Sequence, residues 1–132
     1  MLTDKMNGVE IHDMHPRGYL AFDLKEILVC LKEDALAREW STASVESTGS
    51  AAVALESLED GAPVSGERLL DLSTGVIQII WGVFSGRIPG EATDSLVIKA
   101  IDSTFWEVFG SPAHLAGIQA CFHDVRPAGY TI

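Results

Sequence analysis

The run Val-Ile-Gln-Ile-Ile-Trp-Gly-Val-Phe at 76–84 constrains the fold of this 132-residue chain more than any other segment. β-Branched and aromatic residues dominate it and Gly75 and Gly86 bound it, so it predicts a strand. In strict alternation Ile77, Ile79, Trp81 and Val83 line one face, and Val76, Ile80 and Phe84 the other. A strand with one wet face should alternate apolar with polar residues, and this one scarcely does. Either helices cover both faces of its sheet or another chain covers one. The second case predicts a homodimer.

The neighbouring segments extend this strand into a sheet. Leu96–Ile101 and Phe105–Phe109 predict two more strands. The three residues between them, Asp102-Ser103-Thr104, leave room only for a hairpin. Upstream, Asp23 with Glu26 three residues on predicts a capped helix over 24–33. Trp40–Thr48 predicts a short strand, 50–60 a helix ending at Gly61, and Ser65 caps a helix from Gly66 to Leu72. Ser111-Pro112 opens a helix over 112–122. The expected fold is therefore α+β: a three- or four-stranded antiparallel meander packed with about four helices. Residues 1–21, broken by Asn7-Gly8 and His15-Pro16, are expected to be an irregular arm. Residues 22–126 are expected to be one domain, and 127–132 a tail.

The hydrophobic share of 47% rules out intrinsic disorder as the main state, and no apolar run is long enough to cross a membrane as a helix. Nineteen acids against nine Lys and Arg give a net charge of −10. Such a charge disfavours direct binding to nucleic acid and adhesion to anionic membranes. The first residues lack the basic flank and apolar stretch of a secretory signal. Cys30 and Cys121 lie in apolar segments and are expected to be reduced and buried, which places the chain in the cytoplasm.

Chemistry-bearing motifs are sparse. The chain has no phosphate loop and no Gly-x-Ser-x-Gly elbow, so no cofactor or covalent nucleophile is expected. His12 and His15 frame Asp13, and His123-Asp124 recurs near the end. His-Asp pairs are similar to those of metal-dependent phosphohydrolases, but those enzymes place the pair on a helix, with further ligands on other helices. A metal-dependent hydrolase using these histidines is the alternative function. His114, in the first turn of its helix, is expected to be neutral and exposed.

Paired carboxylates are abundant but undirected, and a solvated, solubilising face stands beside a docking face as their reading. From Glu39 to Gly86 seven acids face one base, Arg68, a net charge of −6. Glu56, Glu59 and Asp60 gather at a helix C-terminus, against the dipole, and Glu67 and Asp71 repel at i, i+4. These five residues are the candidate partner-binding site, suited to a basic protein surface. In composition the chain is similar to immunity proteins and to nucleic-acid mimics that block basic nucleases. The expected function is a non-enzymatic interaction protein. A self-assembling structural subunit is the third possibility.

Overall fold

A computed structural model describes residues 5–132. In chain order its elements are β1 (Asn7–Ile11), α1 (Leu24–Leu31), α2 (Glu33–Leu36), β2 (Glu39–Thr48), α3 (Ala52–Glu56), β3 (Val64–Ser65), α4 (Gly66–Thr74), β4 (Gln78–Arg87), β5 (Leu96–Ile101), β6 (Phe105–Gly110), α5 (Pro112–Cys121) and β7 (Val125–Pro127). The strands form one sheet in the order β3-β2-β4-β5-β6-β1-β7, and every pairing is antiparallel.

The expected three- or four-stranded meander with about four helices is thus corrected to seven strands with five helices among the described residues. β4, β5 and β6 do pair in sequence, but as the middle of a wider sheet. The difference lies mainly at the chain ends. Asn7–Ile11, expected within an irregular arm, pairs with β6 on one side and β7 on the other. Residues 1–4 of that expected arm lie outside the described residues. The expected tail begins inside β7, and its end turns back to the start: Met6 N donates to Ile132 O at 2.7 Å and Ile132 N to Met6 O at 3.1 Å.

The helices form one layer on one side of the sheet. Leu24, Ile27 and Leu28 of α1, Leu69 of α4 and Ile118 of α5 are fully buried in the same cluster as Phe84, Ile98, Trp106 and Val108. Each such side chain contributes roughly 1.5–3 kcal/mol by leaving water. Two glycines admit large rings to the sheet. The Trp40 ring lies over Gly86, its cross-strand partner, where a Cβ would stand 3.0 Å from the ring. The Phe109 ring lies over Gly8 on the opposite side, where a Cβ would stand 2.4 Å away.

β4 does not keep strict alternation. Between its pairs Glu46↔Trp81 and Ser47↔Ile79 it holds one extra residue, Ile80, a β-bulge. Ile79 therefore joins Phe84 in the core, while Trp81 and Val83 face away from the helices. The expected grouping of Ile79 with Trp81 is corrected accordingly. A second irregularity between Ala43 and Glu46 puts Ser44 at φ 55° and keeps β2 in register across the bulge. Asp23 pins the bulged end. Its carboxylate accepts from Leu24 N at 2.9 Å as the α1 cap and from Ile79 N at 3.1 Å. Among the described residues no helix is long and apolar enough to cross a membrane.

Candidate functional site

The side of the sheet away from the helices carries three cross-strand rows. One row is Ser41, Ser85, Val97, Phe109 and Gly8. The next is Ala43, Val83, Lys99, Glu107, Glu10 and Arg126. The third sets Glu46 opposite Trp81, and Ile101 opposite Phe105. Among the described residues no helix packs here, yet Phe109 and Val97 are buried. The chain's own C-terminal segment covers Phe109. The Tyr130 ring packs 5.1 Å from that of Phe109, and its hydroxyl donates to the buried Glu107 carboxylate at 2.6 Å. Burial, then the bond to Glu107 and the nearby charges of Glu107 and Glu10, push the Tyr130 phenol up to about 12. It therefore remains a donor at neutral pH. The Lys99 ammonium sits over both rings, at 5.4 and 5.5 Å.

The other half of this face is open. A hollow of about 330 Å³ lies over Trp81, Val83, Lys99 and Ile101, with Ser44 and Glu46 at its rim. Trp81 is 41% exposed, which is unusual for so large an apolar side chain at the centre of a sheet.

The five candidate acids divide. Glu56 receives the Ser47 hydroxyl at 3.4 Å, and Gly61 N donates to Thr42 O at 3.3 Å. The segment 56–61 therefore runs along the outer edge of β2. This brings Glu56, Glu59 and Asp60 beside the strand whose Glu46 borders the open hollow. Glu67 lies elsewhere, in a separate hollow with Arg38 and Pro63. Asp71 is paired with Arg68 at 3.6 Å. Glu46 was missed as a site residue because its place opposite Trp81 depends on the two irregularities in the β2–β4 register.

The two His-Asp pairs meet along the backbone, with His12 N donating to Asp124 O at 2.8 Å, but their rings have different neighbours. His12 stacks on Phe105 at 4.8 Å on the helix-free side and hydrogen-bonds to Glu10 at 2.8 Å. His15 stacks on Tyr19 at 4.5 Å. His123 lines a groove in the helix layer. Asp13, the proposed companion of these rings, instead accepts the backbone N–H groups of His123 and Asp124 at 2.7–3.0 Å. Among the described residues no group of three or more His, Cys, Asp or Glu side chains is arranged to hold a metal ion. His114 is only 7% exposed, which corrects the expected exposure. Burial and the neighbouring Arg38 lower its pKa, against the opposing pull of Asp34, so the ring is neutral at pH 7.

The two cysteines are corrected as well. Cys30 in α1 and Cys121 at the end of α5 form a disulfide, with Cα atoms 6.2 Å apart. Cys30 is half-buried and Cys121 exposed. Periodicity put the two residues on separate helices but gave no sign that those helices pack side by side. No family model matches the chain, and neither the curated proteins nor the solved structures include one significantly similar to it.

Proposed function

We propose that this chain is a non-enzymatic binding protein that docks a basic protein surface on the open half of its helix-free sheet face. The observation that carries this reading is Trp81, exposed between Val83 and Ile101 and directly opposite Glu46. Exposed aromatics ringed by polar groups are the usual anchors of protein interfaces. Glu46, Glu56, Glu59 and Asp60 lend the adjoining edge a negative potential, which steers a basic partner toward it. Nucleic acid and anionic membranes are disfavoured partners for the same reason. The cytoplasmic placement rested on reduced thiols and loses that support with the Cys30–Cys121 bridge.

The two halves of such a site should act on different rates. Reversing Glu46 and Glu56 to Lys should slow association with a captured partner about tenfold, and added salt should do the same to the wild type. Trp81→Ala should instead speed dissociation about tenfold or more. Surface plasmon resonance separates the two rates. Unchanged rates in both variants would reduce this face to solubilising surface. A second copy of the chain is the competing occupant, and light scattering would then give twice 14.2 kDa without any partner.

A further inference from the structure

On the helix side, a groove of about 580 Å³ runs between α1 and the end of α5. Its floor is apolar: Phe22 and Phe122 meet at 5.0 Å, and Val29 lies beside them. Cys30 and Cys121, joined by their disulfide, both line it. Four further polar side chains complete the wall, namely Asp13, Lys25, Glu26 and His123. The two acids are already engaged by backbone donors. Asp13 takes the N–H groups of His123 and Asp124, and Glu26 takes that of Asp23 at 3.1 Å. Lys25 is exposed and has no ion-pair partner among the described residues.

The geometry points to a thiol–disulfide exchange site in this groove, one that takes a small carboxylate-bearing thiol onto Cys121. The two cysteines are unequal in exposure. Cys121 is exposed, whereas Cys30 is half-buried in the last turn of α1. An incoming thiolate therefore reaches the Cys121 Sγ first. A new S–S bond forms between it and Cys121, and the Cys30–Cys121 bond breaks. The electron pair of that bond leaves on Cys30, which takes a proton from water. The product is one mixed disulfide and one thiol, so no other oxidant or reductant is needed. The released thiol has an acceptor in place, because the Cys30 Sγ lies 3.3 Å from Gly117 O. The apolar floor suits the methylene body of the ligand, and the Lys25 ammonium suits its carboxylate.

The test uses the full chain, purified without reductant, with glutathione as the probe. Mass spectrometry should show a gain of one glutathione per chain, carried by the peptide containing Cys121, with Cys30 then open to alkylation. Lys25→Glu changes an exposed residue and leaves the fold intact. It should slow the glutathione reaction about three- to tenfold relative to the uncharged 2-mercaptoethanol, the scale expected of one surface charge. The adduct on Cys30, or an unchanged ratio of the two rates in Lys25→Glu, would overturn the proposal. Two free thiols in the untreated protein would also overturn it.

Discussion

Asp23 shows how much one side chain can hold together in this sheet. It caps α1 and also takes the Ile79 N–H at the β4 bulge, so it joins the helix layer to the irregular end of the longest apolar strand. Burial outweighs those two hydrogen bonds, and with a smaller push from Glu26 it raises the Asp23 carboxyl from 3.8 to about 6. The folded state therefore binds this proton more tightly than the unfolded chain does. The contribution of Asp23 to stability is full below about pH 4 and is lost as pH rises through about 6. The loss is at most about 3 kcal/mol, at ~1.4 kcal/mol per pH unit. Asp23→Asn keeps a capping oxygen and removes the titration. Urea unfolding of both proteins from pH 4 to pH 7 should show the wild type losing ground steadily to the variant. A difference independent of pH would mean that Asp23 ionises as freely when folded as when unfolded.

At the scale of elements, what the sequence made legible was local. Asp23, Ser65 and Ser111 announce three helix starts, and each side chain does accept a backbone N–H. The three strands from β4 to β6 follow from apolar density and short turns. What stayed hidden depends on residues far apart in the chain. β1 opens with Asn-Gly and has only five residues, so nothing in it announces a strand; it exists because Val9 pairs with Val108 and Pro127. Alternation with Val83 already sets Trp81 on the face opposite Phe84, but it does not reveal the extra residue at Ile80, which turns Ile79 away from Trp81 and into the core. The same separation hid the disulfide, whose cysteines stand 91 residues apart. A bridge closing so long a loop is worth roughly 4–5 kcal/mol through the entropy it removes from the unfolded chain. A Cys30→Ala/Cys121→Ala variant should lose stability of about that size in urea. The wild type in excess reductant should unfold at nearly the same urea concentration as the variant. If reductant shifts the wild-type midpoint no further than it shifts the variant, then the bridge is absent from the folded protein in solution.

For the whole molecule the unbalanced charge sets the terms. The net charge is −10, and the ion pairs that do form among the described residues are mostly at exposed positions, where each is worth little. The acids along the β2 edge have no basic neighbour in these pairs, so their repulsion acts over the Debye length. That length falls from about 30 Å at 0.01 M salt to about 8 Å at 0.15 M. Folding concentrates these charges on one edge, and unfolding spreads them along the chain. Low salt should therefore destabilise the folded state, and sodium chloride over that range should raise the melting temperature by a few degrees, about what 1 kcal/mol produces in a chain of this size. The same repulsion gives the edge its pull on a basic partner, so the two effects should fall together. Glu56→Lys with Glu59→Lys brings the net charge to −6 and removes two of the acids placed beside β2. This double variant should melt higher than the wild type at low salt and respond less to added salt, as followed by circular dichroism. A wild-type melting temperature unmoved by salt would mean that the acids are spaced too widely to repel. Such spacing would also leave the edge without the field needed to draw a basic surface toward Trp81.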